Sequence, residues 1–104
     1  MWSESKKQKE SKAKIKAVYM WMAENIEHYC VSCARWDKPL THSHTIRRSY
    51  RKDLEAEREN ITYQCHQCHD IWDNKPNERY KLLDYEDRMR YIKSVDEGLF
   101  NRMR

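Results

Sequence analysis

Two cysteine pairs, Cys30-Val-Ser-Cys33 and Cys65-His-Gln-Cys68, bracket His44 and Asn60, and His69 follows the second pair directly. Four cysteines at C-x2-C…C-x2-C spacing can converge as thiolates on one tetrahedral zinc ion. The same four could instead form two disulfides. The lysine-rich N-terminus carries no apolar segment of the secretory kind. The chain is therefore expected in a reducing cytoplasm, where thiols stay free for metal. The reading is one structural zinc on Cys30, Cys33, Cys65 and Cys68. Such a knot would pin His44, Asn60 and His69 to a rigid frame, so that a very small chain could hold catalytic groups in fixed geometry.

The rest of the chain explains why a metal is needed. At 104 residues it reads as one domain, 1–104. Charged residues make up 37% and hydrophobic ones only 38%, with mean hydropathy −1.21. A core built from so little apolar material is marginal, and small folds then recruit a metal. No apolar run approaches the ~20 residues of a membrane span. The net charge of +4 points to an anionic partner. Lys6, Lys7, Lys9, Lys12, Lys14 and Lys16 crowd the start of the chain, and Arg47, Arg48, Arg51 and Lys52 follow His44. Basic clusters of this kind contact phosphates without reading sequence. The second cluster is the stronger candidate for phosphate contact, because it sits beside His44.

Periodicity places these groups on elements. Residues 1–10 read as a flexible basic tail and 11–29 as a helix, with Ile15, Val18, Tyr19, Met22, Ile26 and Tyr29 forming one apolar stripe. Trp21 and Met20 lie off that stripe. Residues 40–46 read as a short strand with Leu40, His42, His44 and Ile46 on one face. Residues 53–59 suit a turn or loop, 61–64 a second strand, and 68–74 a short helix ahead of Pro76. Together these make a ββα unit around a metal within residues 30–75. Residues 77–104 read as helices: Asn77 would cap 78–83, and Tyr85, Met89, Ile92, Val95 and Leu99 form a stripe that Gly98 would terminate. His66 reads as a solvated knuckle residue and His28 as helix surface.

The series His44-x15-Asn60-x8-His69, with Cys65-x2-Cys68 just before the last histidine, resembles the signature of the HNH endonuclease superfamily. The segments His44-Thr-Ile-Arg-Arg-Ser and Asn60-Ile-Thr-Tyr-Gln-Cys-His-Gln-Cys-His69 carry the likeness. The downstream half is similar to the NinG/Rap-type phage recombination endonucleases. The resemblance implies an α+β fold: a small zinc-stabilised, treble-clef-like ββα-metal core flanked by N- and C-terminal helices. It implies metal-dependent cleavage of phosphodiester bonds in DNA, on branched or recombining phage substrates. His44 would be the general base. Asn60 would hold the connecting loop and orient the His44 ring. His69 would hold a catalytic Mg²⁺ or Mn²⁺. Ser43 stands where many members carry an Asp or His ligand, so His42 is the candidate substitute. The alternative is a catalytically inactive HNH-like zinc module that binds nucleic acid or a host protein, its histidines purely structural. The oligomeric state is open, a dimer included.

Overall fold

In the computed structural model, which describes residues 6–104, the chain is an α+β protein built on a two-stranded antiparallel sheet. The elements are α1 (Lys6–Asn25), β1 (Leu40–His44), β2 (Ile61–Cys65), α2 (His66–Asn74), α3 (Tyr85–Val95) and α4 (Glu97–Met103). Short 3₁₀ turns lie at Lys52–Leu54 and Arg58–Asn60 between the strands, and at Pro76–Lys81 after α2. Among the described residues no helix is long and apolar enough to cross a membrane.

The strands pair from Leu40 opposite Cys65 to His44 opposite Ile61. Alternation then puts Leu40, His42 and His44 on one face with Ile61, Tyr63 and Cys65. Thr41, Ser43, Thr62 and Gln64 share the other. The strand stops at His44 and not at Ile46, because the backbone beyond it turns to Asn60. The Thr45 N–H donates to the Asn60 carbonyl at 2.8 Å, and the Ile46 N–H to Asn60 Oδ1 at 2.7 Å.

The hairpin packs against two cores. Val18 and Met22 of α1 pack on Ile61 and Tyr63, with Tyr19, Trp21, Leu40 and Ala56 around them. A larger cluster gathers Cys30, Cys65 and Cys68 with Ile46, Trp72, Leu82, Met89 and Ile92. Arg88 ties this half together from α3. It is 3% exposed, and its guanidinium pairs with Asp84 at 2.7 Å. It also donates to Thr45 Oγ1 at 3.2 Å and Thr62 Oγ1 at 2.5 Å.

Several element ends differ from the sequence reading. Residues 6–10, expected in a flexible tail, form the first turns of α1; residues 1–5 of that tail lie outside the described residues. Lys, Gln and Glu are good helix formers, and Ser11 Oγ anchors the segment by donating to the Glu55 carboxylate. α1 ends at Asn25, short of Tyr29, because the chain must leave the helix to deliver Cys30 to the other cysteines. Ile26 and Tyr29 therefore stay 37% exposed. Asn77 caps no α-helix and lies inside the Pro76–Lys81 turn. Gly98 terminates nothing. The break between α3 and α4 is at Asp96, whose carboxylate accepts from the Leu99 N–H at 3.0 Å as a helix cap.

Candidate functional site

The four cysteines meet at one point. Their Sγ atoms all lie within 4.8 Å of one another, and Cys33 and Cys65 are 3.9 Å apart. Tetrahedral zinc with Zn–S bonds of ~2.3 Å requires S–S separations of about 3.8 Å. The cysteines are free thiols, and the cluster is positioned to hold a metal ion such as zinc. Two local structures bring them there. The first pair is a tight turn in which the Ala34 N–H donates to the Cys30 carbonyl at 2.7 Å, and the Cys30 N–H to the Arg35 carbonyl at 2.8 Å. Ala34 takes the left-handed conformation, φ 63°. The second pair is the opening of α2 itself, which starts at His66 and not at Cys68 because Cys65 is its N-terminal flank. Burial works against ionising Cys65, but the Cys68 backbone N–H and the neighbouring thiols bond to its sulfur and bring its pKa down to about 7. Burial pushes Cys33 and Cys68 up. Cys65 is thereby more readily ionised than Cys33 and Cys68, and the charge of a bound metal would favour the thiolate form of all the ligands.

Beside this knot is a cleft of about 440 Å³ lined by Tyr19, His42, His44, Arg47, Arg48, Ser49, His69, Asp73 and Asn74. The fold thus brings His44, from the end of β1, and His69, from α2, into one cavity, as the spacing suggested. His44 Nε2 lies 2.8 Å from the Glu55 carbonyl oxygen. A carbonyl only accepts, so Nε2 carries the proton and Nδ1 keeps its lone pair. Burial lowers the His44 pKa from its ordinary value, and the nearby Arg48 and His69 add to this, outweighing the carbonyl bond that favours the charged ring. The neutral, basic ring is therefore the resident form at neutral pH.

Asn60 has half of its expected role. It is fully buried. Its side chain accepts from the Ile46 N–H and donates to the Ile46 and Leu54 carbonyls, both at 3.1 Å. It staples the β1–β2 connection. It does not orient the His44 ring, because its donors and acceptor are used on backbone; the Glu55 carbonyl does that instead.

His69 sits in a chain of hydrogen bonds whose direction can be read. Thr41 Oγ1 donates its single proton to the Gln64 carbonyl at 2.8 Å. Its contact with His69 Nδ1, 2.7 Å, must then be one in which the ring donates. In the neutral ring, that leaves a bare lone pair on Nε2, which lies 3.0 Å from Asp73 Oδ2. Two acceptors at that distance require a cation between or beside them: a proton on Nε2, or a metal ion. Ligands of one metal at ~2.1 Å and right angles are also about 3.0 Å apart. Asp73, one turn beyond His69 on α2, was not singled out from sequence. The i, i+4 step His69–Asp73 was the available signal.

His42 lines the same cleft, but its ring stacks on Tyr19 with centroids 3.7 Å apart and planes within 10°. Ser43 is fully buried, with its hydroxyl unpartnered, and does not line the cleft. Among the described residues the four cysteines are the one group of three or more His, Cys, Asp or Glu side chains gathered closely enough to hold a metal by themselves.

The basic segment splits. Arg47 and Arg48 line the cleft, Arg47 donating to the Asp73 carbonyl and Arg48 lying 3.6 Å from Glu55. Arg51 does not reach it. Its guanidinium is held by Asp53 at 2.8 Å and Asp96 at 3.0 Å, tying the connection to the start of α4. Lys52 lines a separate groove with Lys7, Glu10, Ser11, Lys14, Asp53 and Glu55. No known family model, curated protein or solved structure matches this chain.

Proposed function

We propose that this protein is a zinc-stabilised, metal-dependent DNA endonuclease of HNH type. One observation carries the reading: a neutral histidine with a defined free nitrogen, a His–Asp pair suited to a cation, and two arginines line a single open cleft. Hydrolysis of a phosphodiester needs a base for the attacking water and positive charge near the phosphate. His44 Nδ1 would accept the proton from that water. Arg47 and Arg48 would hold the phosphate oxygens, Arg48 exchanging its contact with Glu55 for the substrate. Asn60 would keep the connection, and with it the Glu55 carbonyl, in register with His44. A Mg²⁺ or Mn²⁺ ion held by His69 and Asp73 would supply Lewis-acid stabilisation of the charge developing on phosphate. Zinc on Cys30, Cys33, Cys65 and Cys68 would hold α2 against the hairpin.

A second reading has an observation of its own. Among the described residues no third His, Cys, Asp or Glu ligand comes close enough to join His69 and Asp73 around one ion, and Ser43 is buried off the cleft. That favours a zinc module that binds DNA, or a host protein, without cutting it. Purified protein incubated with linear, nicked and four-way-junction DNA, with and without Mg²⁺ or Mn²⁺, separates the two. Cleavage that needs the divalent ion, with one zinc per chain by metal analysis, is the expected result. Binding with intact substrate under every metal supports the second reading.

A further inference from the structure

Six lysines stand in the first three turns or so of the described helix, but they do not share one side of it. Lys7 and Lys14 line a separate groove that they share with Lys52 and with the carboxylates of Glu10, Asp53 and Glu55. Lys9, Lys12 and Lys16 are exposed and follow one another at three- and four-residue steps. The next three-residue step along that row is Tyr19, which stacks on His42 and lines the cleft. A row of ammonium groups therefore leads along α1 into the cavity that holds His44, Arg47 and Arg48. From Lys9 to Tyr19 the helix rises about 15 Å, the rise of roughly four base pairs at 3.4 Å each.

We infer that the Lys9–Lys12–Lys16 face of α1 is a phosphate track for a DNA duplex whose backbone enters the cleft at Tyr19. The assignment rests on the nucleic-acid part of the reading above and not on cleavage. It makes the helix a positioned arm. Because α1 is docked through Ser11 on Glu55 and through Val18 and Met22 on the sheet, the lysines are ordered before DNA arrives, and a smaller entropy cost opposes binding than for an unstructured tail.

The test uses charge-matched variants of the full chain, Lys9→Gln/Lys16→Gln against Lys7→Gln/Lys14→Gln. Both remove two charges from the same helix, and glutamine keeps its helix propensity. Circular dichroism confirms the fold. Affinity for two unrelated duplexes is titrated against salt without Mg²⁺ or Mn²⁺, so that cleavage plays no part. The expected result is that Lys9→Gln/Lys16→Gln lowers the slope of log affinity against log salt by about two, at ~0.9 per phosphate contact. Lys7→Gln/Lys14→Gln should lower it by less than half as much, and Lys9→Arg/Lys16→Arg should restore it. Equal effects of the two glutamine pairs, or no effect of either, overturn the track. So does a loss of binding to phosphatidylserine vesicles with DNA affinity unchanged. A protein that shows the split in slopes but cuts nothing keeps the track and loses the nuclease.

Discussion

At the scale of single residues, the proposed chemistry turns on which nitrogen of which histidine is bare. The Glu55 carbonyl assigns the His44 proton to Nε2, and Thr41 assigns the His69 proton to Nδ1. Neither acceptor is a side chain that motif spacing would single out. His44→Ala should leave DNA affinity in place and lower the cleavage rate by about 10²-fold or more, the usual share of a general base. The pH profile follows from burial. A base acts when unprotonated, and the His44 pKa is depressed, so the acid limb of single-turnover cleavage should fall below the ordinary histidine value of about 6.5. The same sign holds for stability. The unfolded chain binds more protons than the fold between the depressed value and about 6.5, so stability rises with pH across that window and is lost on acidification through it. A cleavage rate in His44→Ala equal to the parent's, or a limb above 6.5, would take the base role from this residue.

At the scale of elements, the first cysteine turn depends on an unusual backbone. Ala34 sits at φ 63°, a conformation that costs an L-residue roughly 1–2 kcal/mol and glycine little. Ala34→Gly should raise stability, by about 0.5–1 kcal/mol after glycine's extra unfolded-state entropy is subtracted; urea unfolding at saturating zinc measures it, and a lower midpoint refutes it. This turn also shows what the residue pattern could convey. The cysteine pairs, the two strands and α2 are legible because ligand spacing and two-residue alternation are local properties. So is the meeting of His44 and His69. The ends of α1, the turn at Pro76–Lys81 and the break at Asp96 are not, since each is decided by a distant partner or by the need to deliver a cysteine. Arg88 and Glu55 were missed for the same reason. An arginine 3% exposed and a glutamate 9% exposed look like any other charges in a chain that is 37% charged. Arg51 read as a phosphate ligand because Asp96 is far away in sequence.

At the scale of the whole molecule, the hairpin packs against two unequal cores. One holds the cysteine knot, Trp72, Ile92 and the buried Arg88–Asp84 pair; in the other, α1 rests on Val18 and Met22, with Ser11 bonded to Glu55 and Arg58 over the Trp21 ring. Such an imbalance predicts two opening events of different energy. Amide hydrogens of α1 should exchange with solvent through a partial opening that leaves β2, α2 and α3 protected. Chelation of the zinc should collapse that difference. Uniform protection along the chain would refute the imbalance. Such an opening would also carry Tyr19 away from His42, so the wall of the cleft is expected to open before the rest of the fold. DNA held along the lysine row would then close the very breach through which the site loses its shape, and exchange in α1 should slow when duplex is added.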